Sequence, residues 1–161
     1  MRISFSGHET FVCRQFWLKK GYDYLKQNKS FTDDDAVVHL GVGKNMTTSI
    51  KFWLKGFNIL EEDNVTLTEF GQYLLEGKDP YLEDSASLWL LHYHIIKNER
   101  VFIFNAFFNQ FLKEKNEFTK EQLIAFLKRK TEESGNKHFR DRKSTRLNSS
   151  HSTLSRMPSS A

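Results

Sequence analysis

One cysteine, two prolines and no long apolar run set the first limits on this chain of 161 residues. With Cys13 alone, no internal disulfide can form, which excludes the disulfide-stapled secreted scaffolds and fits a reducing compartment. The longest greasy stretch, LWLLHYHII at 88–96, falls well short of the roughly 20 residues a membrane helix needs, and it carries two histidines. The opening MRISFSGHETFVC lacks the apolar centre of a secretory signal. The expectation is a soluble, cytoplasmic protein that spans no membrane. Aromatic residues, at 14%, are plentiful enough for a packed core.

Positive charge is scarcer than the total of +4 suggests. Residues 141–161 hold Arg142, Lys143, Arg146 and Arg156 against Asp141, a net +3, which leaves +1 on residues 1–140. The same segment has seven serines and no aromatic residue, a composition that buries no core and reads as disordered. Its strings DRKSTRLNSSH and SRMPSSA resemble the translation of a common synthetic sequencing adapter. Residues 141–161 are therefore expected to be an artefactual tail on a chain interrupted near Arg140, and they are left out of the fold reasoning.

Phe11, Leu18, Tyr22 and Leu25 recur at helical spacing and predict a first helix from about Glu9 to Gln27, with Gly21 a weak point in mid-pattern. TDDDAVVHLG predicts a short helix, capped by Thr32 or Asp33 and stopped by Gly41. After the turn GVGKN, a helix from Lys44 to Lys55 carries Met46, Ile50, Trp53, Leu54 and Phe57 on one side. Two β-like runs then flank Glu62-Asp63-Asn64, and a short helix follows with Thr68 as its cap. That order is the winged helix-turn-helix arrangement, expected over residues 1–78 with a small β hairpin as the wing. Beyond the break at Pro80, residues 79–140 read as helical and rich in phenylalanine, the start of a truncated second domain. A capping box at Thr119 and Gln122 opens its last helix. The predicted fold class is mainly α.

The glycine-lysine pair at Gly43-Lys44 is not a nucleotide-binding loop. A Walker loop needs a glycine where Val38 stands and a Ser or Thr where Asn45 stands. As a recognition helix the segment is better suited. It presents Lys44, Thr48, Lys51 and Lys55 along the side opposite the apolar stripe, with Asn45 and Thr47 near the N-terminus to meet base edges or phosphates. These six residues are the expected DNA-binding set. Against this stand the acidic Glu61, Glu62 and Asp63 in the wing, with Asp33, Asp34 and Asp35 nearby, and a scaffold helix with a solvated basic side fits the pattern equally.

Other candidates carry less. His8-Glu9 suits acid-base work or a pair of metal ligands, but a Glu in a first helical turn is the commoner use. His92 and His94 lie two apart on a helix and face different ways, which suits one metal poorly. Asp79, Glu83 and Asp84 form an acidic cluster that suits a cation or a basic partner, but as a solvated helix start it needs no special explanation. Cys13 has no evident base partner and is expected to pack within the first helix. No enzyme, cofactor or metal assignment follows.

FSGHETFVCRQFWLKKGYD, then LGVGKNMTTSIKFWL, then LTEFGQYLL and DPYLEDSASLWLLHYHI resemble, in that order, a bacterial family known as domain of unknown function four thousand and seven. The resemblance spans most of residues 4–112. It implies a gene set beside phosphoadenosine-phosphosulfate-reductase-like proteins, within phage-defence and DNA sulfur-modification (phosphorothioation) islands, and members longer than this chain. No catalytic residues transfer. The expected role is a DNA-associated accessory protein of such a system. The alternative is a protein-interaction subunit that docks the reductase-like partner without touching DNA.

Overall fold

A computed structural model describes residues 7–133, and within them the protein is mainly helical. The expected tail at 141–161 and the last residues of the expected second region lie outside the described residues. In order come α1 (Trp17–Lys26), α2 (Ala36–Leu40), α3 (Lys44–Gly56) and α4 (Glu69–Gln72) with its π-helical continuation Tyr73–Lys78. Then follow α5 (Ser85–Lys97), α6 (Phe102–Ala106) with a π-helical turn Phe107–Phe111, α7 (Leu112–Glu114) and α8 (Lys120–Glu133).

The first helix begins eight residues later than its apolar spacing predicts. Glu9 and Thr10 adopt left-handed backbone, with φ of 50° and 69°, which no α-helix accommodates. The segment instead lies across α3. Gly7 seats against the Phe52 ring, the His8 ring stands 5.8 Å from that of Phe52, and the Trp53 indole donates to the Phe11 carbonyl at 3.1 Å. The caps expected for α2 are also displaced. Asp33 accepts from the Ser30 amide at 2.7 Å and so fastens the loop before the helix, and α2 starts three residues further on. Thr68 caps α4 through the Gly71 amide at 2.9 Å, and Thr119 and Gln122 exchange the two bonds of a capping box.

The two β-like runs meet in one isolated antiparallel bridge, Leu60 with Leu67, and no strand forms among the described residues. Glu61 donates to the Thr66 carbonyl at 2.9 Å and Thr68 to that of Ile59 at 3.0 Å. Within the turn, the Asp63 carboxylate takes the Val65 and Thr66 amides, each at 2.9 Å. Amides held by a side chain in this way are not available to lengthen a ladder.

Two larger apolar cores organise the described chain, with a smaller cluster of Tyr24, Ala36 and Leu40 between α1 and α2. In the first large core, Leu18 and Tyr22 of α1 meet Ile50 and Leu54 of α3, and Leu91 and Ile95 of α5 close it, so the break at Pro80 does not interrupt this core. In the second, Phe102, Phe111, Phe126 and Leu127 join α6, the turn after it and α8. The outer side of α5 stays open, with Trp89 70% exposed beside Leu90 and Tyr93.

Candidate nucleic-acid interface

Three short-range decisions set the orientation of α3. Gly41 ends α2 in left-handed conformation, φ 56°, and two tight bonds, from the Gly41 amide to the Val38 carbonyl and from the Val42 amide to that of Val37, fold the turn. Gly43 then enters α3 with extended backbone. Gly21 lets α1 lie directly on α3, since a Cβ there would stand 2.7 Å from both Ile50 and Leu54. α1, α2 and α3 thus pack on one another, and the apolar side of α3 is sealed, with Ile50 and Leu54 at 0% exposure.

The outward row of α3 is shorter than its spacing predicts. Lys44, Asn45 and Thr48 are exposed and Lys51 is half-buried. Thr47 is buried, its hydroxyl donating to the Gly43 carbonyl at 3.4 Å. Lys55 is only 8% exposed, a correction to its expected place on the open side. Its angular position is outward, but the turn at 61–64 and the connection after α5 fold over that end of the helix. The Lys55 ammonium donates to the Glu62 carbonyl at 2.8 Å and pairs with the Glu62 carboxylate at 3.4 Å.

Two residues invisible to sequence reasoning complete this end. Asn98, just past α5, donates its side-chain amide to the Lys55 carbonyl at 2.7 Å and the Gly56 carbonyl at 3.1 Å, which satisfies two terminal carbonyls of α3. Arg100 pairs with Glu62. Near the other end, Lys20 brings its ammonium to the turn between α2 and α3, 3.8 Å from where a Gly41 side chain would begin.

Two carboxylates of the 61–63 turn are held ionised and already partnered, Glu62 by Lys55 and Arg100 and Asp63 by groups of the turn itself. Hydrogen bonding from Arg100 holds the Glu62 carboxyl below the usual range, and the charges of Arg100 and Lys55 add to this. Asp63 falls to about 2, chiefly because the Thr66 hydroxyl and the Val65 and Thr66 amides bond its charged form.

The remaining candidates resolve into structural roles. Glu9 is exposed and outside any helix, so it complements no helix dipole. Cys13 precedes α1 and packs against the first core, and burial pushes its thiol up to about 12. His94 lies against Phe70 with ring centroids 3.9 Å apart, and burial followed by the Lys97 charge lowers its pKa. His92 turns instead to Phe108, 4.7 Å away. Asp79 accepts the Glu83 and Asp84 amides at 3.0 and 2.9 Å, and these bonds hold its carboxyl below the usual range. Asp84 caps α5 through the Ala86 amide at 2.8 Å. No group of three or more His, Cys, Asp or Glu side chains comes together to hold a metal among the described residues. No described helix is long and apolar enough to cross a membrane.

Two crystal structures of SspB are similar to the chain. One, with bound magnesium ion, is 38% identical with a TM-score of 0.52, over 59% of this chain and 31% of that one. The other is 39% identical with the same score, over 58% and 32%. The chain thus spans about a third of the length of the structures it matches. No curated protein matches it. The model of a family described as protein of unknown function (DUF4007) matches residues 5–157, nearly the whole length, and the chain belongs to that family.

Proposed function

We propose that this chain is a winged helix-turn-helix-like, DNA-associated accessory protein of a bacterial DNA-modification or phage-defence system, and that it meets DNA through the N-terminal half of α3. On this reading residues 1–78 form the winged unit, with the Leu60–Leu67 bridge as a minimal wing, and residues 79–140 are a second helical region whose first helix, α5, closes the core of that unit. One observation carries the proposal. Lys44, Asn45 and Thr48 stand exposed, with Lys51 beside them, on a helix whose opposite side is sealed by α1 and the first core. A recognition helix needs such a division, because its N-terminal donors reach base edges and phosphates only if the scaffold holds the other side still. The family resemblance carried by the sequence motifs, which implies DNA sulfur-modification islands, favours a phosphorothioation system as the setting.

The test reverses charge at Lys44 and Lys51 together and spares the buried Lys55. Lys44→Glu with Lys51→Glu is expected to weaken retention of duplex DNA on the order of tenfold and to flatten the salt dependence by about two, one for each lost phosphate contact. Unchanged retention across a salt titration would remove α3 from the interface.

A second reading has its own observation. The outer face of α5 displays Trp89, Leu90 and Tyr93 in helical register, the residue types that anchor protein interfaces. On that reading the chain docks a phosphoadenosine-phosphosulfate-reductase-like partner without touching DNA. Co-purification with that partner is then expected to survive the α3 charge reversals and to fail with Trp89→Glu, and the converse result would exclude docking through α5.

A further inference from the structure

The acidic turn poses a question that the DNA reading leaves open: why a carboxylate stands where a wing would meet phosphate. Glu62 lies between two cations, Lys55 and Arg100, and both side chains bond its carboxylate. Lys55 does not depend on that carboxylate for its position, and the Arg100 main chain is anchored independently of it. Lys55 is pinned by the main-chain carbonyl of Glu62 at 2.8 Å. The Arg100 amide is fixed by the Asn98 side-chain oxygen at 3.0 Å, and Asn98 is itself fastened to the end of α3. The Glu62 side chain, by contrast, is 74% exposed and free to swing into solvent. The Arg100–Glu62 pair, exposed on both sides, is of the kind that holds weakly, and its partners re-pair readily with another anion. Lys97 lines a polar cleft of about 380 Å³ together with Lys55 and Glu62 and adds a third positive charge, while Glu61 and Glu99 line the cleft with opposing charge.

We infer that Glu62 occupies a phosphate seat: Lys55 and Arg100 form an anion site at the C-terminal end of α3 that its carboxylate fills in the free protein and a DNA backbone phosphate takes over on binding. A carboxylate and a phosphate offer these donors the same acceptor geometry, and guanidinium and ammonium serve both. The acidic turn then acts as a gate on a further phosphate contact, beyond the two offered by Lys44 and Lys51. This inference rests on the DNA reading of α3.

The experiment compares Glu62→Gln with Glu61→Gln, which removes the same charge one residue away and touches neither cation. On folded protein, checked by thermal melt, Glu62→Gln is expected to raise duplex affinity several-fold, because no carboxylate has to be displaced before the phosphate is seated. Glu61→Gln should give a clearly smaller gain, and adding Arg100→Gln to Glu62→Gln should abolish it. If Glu62→Gln melts below the assay temperature, Glu62→Ser replaces it with the same expectation. Equal effects at 61 and 62, or no gain at 62 while the Lys44 and Lys51 reversals still weaken binding, would overturn the phosphate seat alone. If neither the wild-type protein nor Glu62→Gln retains duplex, the DNA reading falls and the seat with it.

Discussion

Leu54→Ala is expected to lower stability by roughly 2–5 kcal/mol, the range for a large apolar side chain removed from a site that cannot collapse. Leu54 has 0% exposure, and its methyl groups stand where α3 meets α1, directly against Gly21. Its carbonyl also receives the Ile59 and Leu60 amides, at 2.8 and 3.3 Å, so the backbone around it is fixed by the start of the Leu60–Leu67 bridge. Neighbours held in this way cannot move in to fill the void. For a chain of this length the loss corresponds to a fall in Tm of about 5–15 °C, and urea unfolding should show a lower midpoint with an unchanged slope. A loss below about 1 kcal/mol would mean that α1 and α3 are not packed as described.

Gly21→Leu sets two effects against each other, and their sizes decide the sign. Within an isolated α1 the change is favourable by about 0.8 kcal/mol, because leucine is a strong helix former and glycine a weak one. In the folded protein the first added carbon would already lie 2.7 Å from Ile50 and Leu54, inside any real contact, and three more carbons follow it. Overpacking of this kind costs about 1–3 kcal/mol or more, so packing outweighs propensity and the variant is expected to be destabilised. Gly77→Ala provides the contrast: it sits where an added carbon meets nothing within 4 Å and should be neutral or slightly stabilising. A stabilised Gly21→Leu in chemical denaturation would show that propensity alone governs this position.

Those two positions show how unevenly the chain discloses itself. Local chemistry was legible. The inward stripe of α3 from Met46 to Trp53, the left-handed stop at Gly41, the Thr68 cap and the Thr119–Gln122 box all rest on contacts within a few residues, and periodicity and cap rules describe such contacts. The segment before α1 was misread for a physical reason. Glu9 to Phe16 has helix-compatible spacing, but bonds to α3 more than forty residues away, such as Trp53 to Phe11, outweigh the local preference. The row of lysines on α3 was legible as a pattern and only partly so as a surface. Nothing in the order of residues shows that Glu62, Asn98 and Arg100 close over Lys55.

From the sequence alone came the helical class, the existence of α3 and its division into an apolar and a basic side, because these depend on spacing along one element. Tertiary structure alone decided that Gly21 is a contact point and not a flaw, that Lys55 is enclosed while Lys44 is open, and that two acids of the turn are already bonded. Those properties belong to pairs of groups far apart in the chain, and the distance between such groups is fixed when the helices pack.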